Sequence, residues 1–401
     1  MSRADIPPMT APRRAIGLAL ALVLAGALSG CAPGRAVEAG QVLYGLASGP
    51  PDPDRVERRV KTPTVDGRQR TMDVYRPAER QARAALVLVP GVAPEGRRDP
   101  RLVAFAERLA LARFAVVVPE IAKLRALRVS AADSEPIADA LRYAATAEHA
   151  SGKAGLVAIS YGVAPAVIAA LKPGTRDRVA FLVSIGGYLD AEAVITFFTT
   201  GRYRKPGDAA WRDGTPHPYG KWVFVRSNAA RLDDPADREL LTRMAERKLA
   251  DPKAPIDDLV ADLGPAGRSV YRLLTNRDPA RVPRLIAALP APIRREIAAL
   301  DLSRRELSAL DAPVYLVHGR DDRIIPHTES IALKAALPAN RAELYLVDDL
   351  AHVDLGSPGP DDGLALVSLI YNVLGERDRL ASRDREDTGR DTAKTPAVEG
   401  R

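Results

Sequence analysis

The chain has 401 residues, 46% apolar and 27% charged, with a formal net charge of +7. That is enough apolar material for one large core or two smaller ones, with the charge content of an ordinary globular protein. The positive excess is scattered over predicted helices rather than gathered in a basic block, and no RNA-binding aromatic motif accompanies it, so nucleic acid is not an expected partner.

The first element is an export signal. Arg13 and Arg14 precede the apolar run AIGLALALVLAGALSG, which is 16 residues long, too short and too rich in small residues for a comfortable membrane span. The run ends at Leu28-Ser29-Gly30-Cys31, which resembles a bacterial lipobox, so residues 1–30 are expected to be a signal peptide and Cys31 the acylated mature N-terminus. Cys31 is the only cysteine, and once acylated it leaves no thiol for a disulfide, a metal or catalysis. Residue 32 is Ala rather than Asp. By resemblance to such lipoproteins, this implies an outer-membrane anchor facing the periplasm. Residues 31–55, with Gly, Ala and PPDPD, are expected to form a flexible tether.

A hairpin follows, two alternating runs around the turn pair Asp66-Gly67. AALVLVP (84–90) and FAVVVPE (114–120) are near-continuous apolar runs, as parallel strands buried on both faces require. RLVAFAERLALA between them has helical spacing, and IADALRYAATAEHA supplies a second helix. GLVAI (155–159) is then a buried strand that breaks at Ser160-Tyr161-Gly162 into an Ala/Val-rich helix, and AFLVSIG (180–186) is the next strand. Strands and helices alternating in this way imply a doubly wound, mostly parallel α/β sheet. Residues 191–310 lose the strand rhythm, apart from a short strand-like KWVFV at 221–225, and read as Pro-punctuated helices. Two more strands, PVYLVHG (313–319) and ELYLV (343–347), complete the series. Residues 377–401 are charged, with few large apolar groups, and are expected to be disordered.

A strand that turns sharply into a helix with Ser at the break is the nucleophile elbow. Ala158 stands where the first Gly of G-x-S-x-G is usual, and Gly162 fits a helix start pressed against a strand. Ser160, Asp322 and His352 follow one another in the chain order that α/β-hydrolases use. Over residues 56–190 and 311–376 the chain resembles an α/β-hydrolase of the dienelactone-hydrolase and serine-esterase kind, with 191–310 as a helical cap inserted into the fold. The resemblance implies that the acid lies three residues after the Gly of the HG turn and four before the Pro. That position is Asp322, not Asp321, and the base is the His after the last strand, His352.

A serine hydroxyl needs a general base, and the base needs an acceptor that fixes its tautomer. Ser160, His352 and Asp322 fill these roles if the fold joins their loops. The oxyanion would be held by the backbone N–H of Tyr161 and, by resemblance, of Val92 in Pro90-Gly91-Val92, where the family has His-Gly. The histidines are scattered, with no metal-binding spacing, and there is no complete nucleotide-binding Gly motif, so no cofactor or metal is expected. The expected partner is a small-molecule or lipid-like ester, cleaved through an acyl-enzyme. A transferase or peptidase using the same triad, and a catalytically silent envelope binding module, remain open alternatives. Tyr203, Trp211, Tyr219 and Trp222 are either pocket aromatics or cap core.

Overall fold

The computed structural model describes residues 33–148, 151–348, 350–351, 354–355 and 359–393. Its centre is an eight-stranded sheet: β1 (Val56–Lys61), β2 (Met72–Pro77), β3 (Ala84–Val89), β4 (Phe114–Pro119), β5 (Ala154–Ile159), β6 (Val179–Ile185), β7 (Val314–Gly319) and β8 (Ala342–Val347). Their spatial order is β1-β2-β4-β3-β5-β6-β7-β8. β1 pairs antiparallel with β2 (Val56 opposite Pro77, Lys61 opposite Met72), β2 pairs antiparallel with β4, and every later pairing is parallel. The expected hairpin turn falls at Asp66 (φ 48°) and Gly67 (φ 77°), both left-handed as a tight primed turn needs.

The apolar runs of β3 to β7 follow from burial on both faces. In β3, Ala85, Val87 and Val89 enter one apolar layer, and Ala84, Leu86 and Leu88 the other. Helices of eight residues or more cover both faces. α1 (Pro33–Ala47), α2 (Pro100–Leu111) and α11 (Pro360–Ala393) contribute to the second layer. α3 (Ser134–Tyr143), α4 (Val163–Ala170) and α10 (Thr328–Ala336) contribute to the first, together with the insertion.

The insertion is helical: α5 (Ala191–Thr200), α6 (Pro218–Ala229), α7 (Pro235–Ala250), α8 (Pro265–Thr275) and α9 (Ala291–Leu300). The N–H groups of Leu302 and Ser303 both donate to the carbonyl of Leu189, so the insertion returns to the point where it left. Its apolar residues, Met244, Leu273 and Ile293 among them, join the same cluster as Leu156 of β5, so among the described residues it has no separate core.

Three expectations are corrected by the structure. KWVFV is not a strand but part of α6, which His217 caps by accepting the Tyr219 N–H and Pro218 starts. Most of the expected tether is α1. It lies along α11 and is tied to it by Arg377, the bulkiest fully buried side chain among the described residues, through Glu38. The expected disordered tail is helical as far as Ala393. No helix among the described residues is long and apolar enough to cross a membrane. Residues 1–30 and Cys31 lie outside the described residues.

Candidate active site

β5 stays extended to Ile159 (φ −115°, ψ 129°), and Ser160 then turns to φ +56° before α4 begins. A side chain in the left-handed region costs on the order of 1 kcal/mol or more and persists only where its surroundings impose it. Gly162 is part of what imposes it. A Cβ there would sit 2.5 Å from the carbonyl oxygen of Pro90, so only glycine lets the turn lie against the end of β3. Ala158 takes the usual first-glycine position with its methyl fully buried in β5. Ser160 itself is 4% exposed.

The loop after β3 meets this turn. A Cβ on Gly91 would lie 3.6 Å from both the Ile159 carbonyl oxygen and Ser160 Cβ, ordinary contact distance. Val92, the next residue, accepts a hydrogen bond at its carbonyl from the Tyr219 hydroxyl of α6, at 2.9 Å. Burial pushes the Tyr219 phenol up to about 12, so at neutral pH it remains a donor. The cap thus fixes the peptide that follows the expected oxyanion donor. Tyr161 packs edge-on against Tyr188, centroids 6.1 Å apart, and burial raises its phenol further, helped by the Asp322 carboxylate.

The turn after β7 separates two adjacent carboxylates. Asp321 is exposed, whereas Asp322 is 6% exposed. Asp322 Oδ1 accepts the backbone N–H groups of Ile324 (2.7 Å) and Ile325 (3.0 Å). Its Oδ2 lies 3.2 Å from Nε2 of His318. That nitrogen also faces the Ile325 carbonyl at 2.9 Å, so with two acceptors before it Nε2 carries the proton, while Nδ1 accepts from the Ser330 hydroxyl at 2.7 Å. Asp322, the expected acid, is thus the buried one of the two carboxylates, and His318 behind it stands in the sequence only as part of the HG turn.

His352 lies outside the described residues. Leu350, two positions before it, runs directly across the end of β7. A Cβ on Gly319 would come within 2.1 Å of the Leu350 carbonyl oxygen. Ser160, Tyr161, Gly91, Val92, Tyr219, Ile324 and Leu350 all border one cavity of about 1040 Å³. The structure therefore brings the elbow, the β3 loop and the acid turn to one place, at the carboxyl ends of the strands where the crossovers of a doubly wound sheet diverge. Of the other aromatics, Trp222 is buried in the cap, Arg204 stacks over Trp211 at 4.5 Å, and Tyr203 packs edge-on to Phe197. Among the described residues, no group of three or more His, Cys, Asp or Glu side chains is placed to hold a metal ion.

No protein-family model matches the sequence, and no curated protein sequence matches it. Solved structures do. The rice cell wall degrading esterase LipA from Xanthomonas oryzae is similar with a TM-score of 0.50 at 16% identity, over 83% of this chain and 93% of that one. Brefeldin A esterase, described as a bacterial homologue of human hormone sensitive lipase, matches at 17% identity and a TM-score of 0.45, over 96% of this chain and 90% of its own. Together with the strand order, the antiparallel edge and the strand–turn–helix at Ser160, the likeness to the Xanthomonas esterase shows that the chain has the α/β-hydrolase fold.

Proposed function

We propose that the protein is a serine hydrolase acting on a carboxylic ester. The observation that carries this reading is the left-handed Ser160 at the head of the central strand β5, facing a large cavity under a loop that follows β3. Ser160 Oγ attacks the ester carbonyl as its proton passes to His352. The resulting oxyanion is held by the N–H groups of Tyr161 and Val92. His352 then returns the proton to the leaving alkoxide, leaving an acyl-serine and free alcohol, and water repeats the sequence to release the acid. Asp322 keeps His352 in the tautomer that can take the proton and stabilises its cation.

A fluorophosphonate probe should label the parent protein, and Ser160→Ala should lose both the label and hydrolysis of short 4-nitrophenyl esters. Hydrolysis that survives Ser160→Ala would place the chemistry elsewhere, and an unlabelled, inactive parent would favour the silent binding module.

The same proposal includes export and lipid anchoring at Cys31, supported by LSGC after a short apolar run with two arginines before it. Multiple acyl chains anchor stably where one is marginal. Cys31→Ser should release the protein from the membrane fraction or block its processing, and unchanged processing and retention would refute the anchor.

A further inference from the structure

The cavity that Ser160 borders does not end at the serine. Its lining continues from the serine to side chains on the sheet face opposite the cap, in the layer formed by α2 and α11. Its floor is Val157 of β5, Val183 of β6 and Val317 of β7. One wall is α2, through Leu102, Ala104 and Phe105; the other is α11, through Leu366, Leu369, Ile370 and Val373. Leu43 and Leu46 of α1 close its far end. Arg108 also borders that end, but its guanidinium donates twice to the Gly49 carbonyl. The polar lining is gathered elsewhere, at the mouth, where Glu95, Asp99, Arg101 and His217 stand.

A volume of about 1040 Å³ is at the upper end of small-molecule sites, and an aliphatic lining that extends from the nucleophile between two helices suits an alkyl chain. From Leu102 to Phe105 the α2 wall advances about 5 Å, and α11 from Leu366 to Val373 about 10 Å, enough for several methylenes in extended form. We propose that this slot takes the acyl chain of a medium- or long-chain ester, with the alcohol half left at the polar mouth. The proposal rests on Ser160 as the nucleophile. The acyl half stays bonded to that serine through both chemical steps, so it is the half a preformed slot can hold throughout. The specificity determinant is then on the α1–α2–α11 side of the sheet and not under the cap, whose own described cavity, lined by Phe198, Val223 and Ile297, is only about 70 Å³.

The test is kcat/KM for 4-nitrophenyl acetate, octanoate and laurate, beside a matched series of acetate esters of longer alcohols. Each methylene buried in the slot should favour the ester about fourfold, so octanoate should exceed acetate by at least tenfold and alcohol length should matter little. Ala104→Trp and, independently, Ile370→Trp put a ring into the slot from partly exposed wall positions, and each should cut the octanoate-to-acetate ratio at least tenfold. An unchanged ratio in both folded variants, or a preference that follows the alcohol instead, overturns the proposal.

Calorimetric binding of laurate to Ser160→Ala separates the two readings. Laurate that binds there and is lost on adding Ala104→Trp upholds the slot even if the parent proves not to be an esterase. Laurate that does not bind overturns the slot even if Ser160 proves to be the nucleophile.

Discussion

Asp321 and Asp322 are the same side chain at adjacent positions, and the fold gives them opposite environments. Asp322 is held by two backbone N–H groups and by the His318 imidazole, whereas Asp321 points to solvent. The acid of a triad must be both buried and oriented, because its contribution is to fix an imidazole tautomer. Asp322→Asn should therefore lower ester turnover by about 10³–10⁴, while Asp321→Asn should change it less than twofold. Both variants should keep thermal midpoints within a few degrees of the parent, since neither removes packed volume. The reverse ranking would transfer the role to Asp321. The family resemblance singled out Asp322 through the spacing from Gly319 to Pro326, and the buried position is the one it named. The support from His318 was not legible in the sequence, since it depends on Ser330 and the Ile325 carbonyl lying around one ring. Nor was the clamp on Val92, where the donor, Tyr219, is 127 residues away in sequence. Removing that single hydroxyl with Tyr219→Phe should lower kcat about five- to tenfold, the worth of one net hydrogen bond on the loop that carries the proposed oxyanion donor, with no change in the shape of the pH profile. A variant equal to the parent would show that the loop holds its shape without the cap.

At the scale of elements, the parallel strands were the most readable part of the chain. Burial on both faces leaves an uninterrupted apolar run, a pattern that half-exposed helices and strands, with their alternating polar positions, do not produce. The cap was less readable. KWVFV has the composition of a strand, yet Pro218 and the His217 cap start a helix just before it, and Trp222, Val223 and Val225 are buried within that helix. The cap also depends on an element outside it. Glu329, at the start of α10, accepts the N–H groups of Leu189 (3.2 Å) and Asp190 (2.8 Å), where the chain enters the insertion. Burial, and then the neighbouring Asp190 and Asp301 carboxylates, push Glu329 up to about 8 against an ordinary 4.5, although the two N–H groups act the other way. The folded state thus holds a proton that the unfolded chain releases, and stability is fully present below about pH 4.5 and declines as pH rises towards 8. Asp133, raised to about 6 chiefly by burial, works in the same direction over a narrower range. Glu329→Gln keeps an acceptor for the two N–H groups and cannot ionise. Its thermal midpoint should be close to the parent's at pH 5 and higher than the parent's at pH 8. A parent midpoint that does not fall between those values, or a variant that runs parallel to it, would show that Glu329 does not set the pH dependence.

Across the whole molecule, composition was a poor guide at the two ends of the domain. Gly, Ala and Pro around residues 31–55 suggest a tether, and the charges after residue 376 suggest disorder, because a sequence window cannot show that one segment supplies the partner for the other. Arg377 is 1% exposed. It forms a two-pronged pair with Glu38, donates to the Ala112 carbonyl at 2.7 Å, and lies beside Asp378, which in turn meets Arg35 and Arg83. A guanidinium at that depth is tolerable only with all these acceptors present, and removing one partner leaves the others buried without compensation. Arg377→Ala should destabilise the protein by about 3 kcal/mol, and Glu38→Ala, whose carboxylate is less buried, should cost less. Neither value alone distinguishes a clasp between α1 and α11 from a local effect within α11. The double variant does. If α1 is held through this pair, the two losses overlap, and the cycle should show a coupling of about 1–3 kcal/mol by denaturant unfolding. A tether would give additive losses and a coupling near zero. Because Leu43 and Leu46 of the same helix border the slot, a strong coupling would also mean that α1 belongs to the folded body that forms the slot and not to a flexible tether.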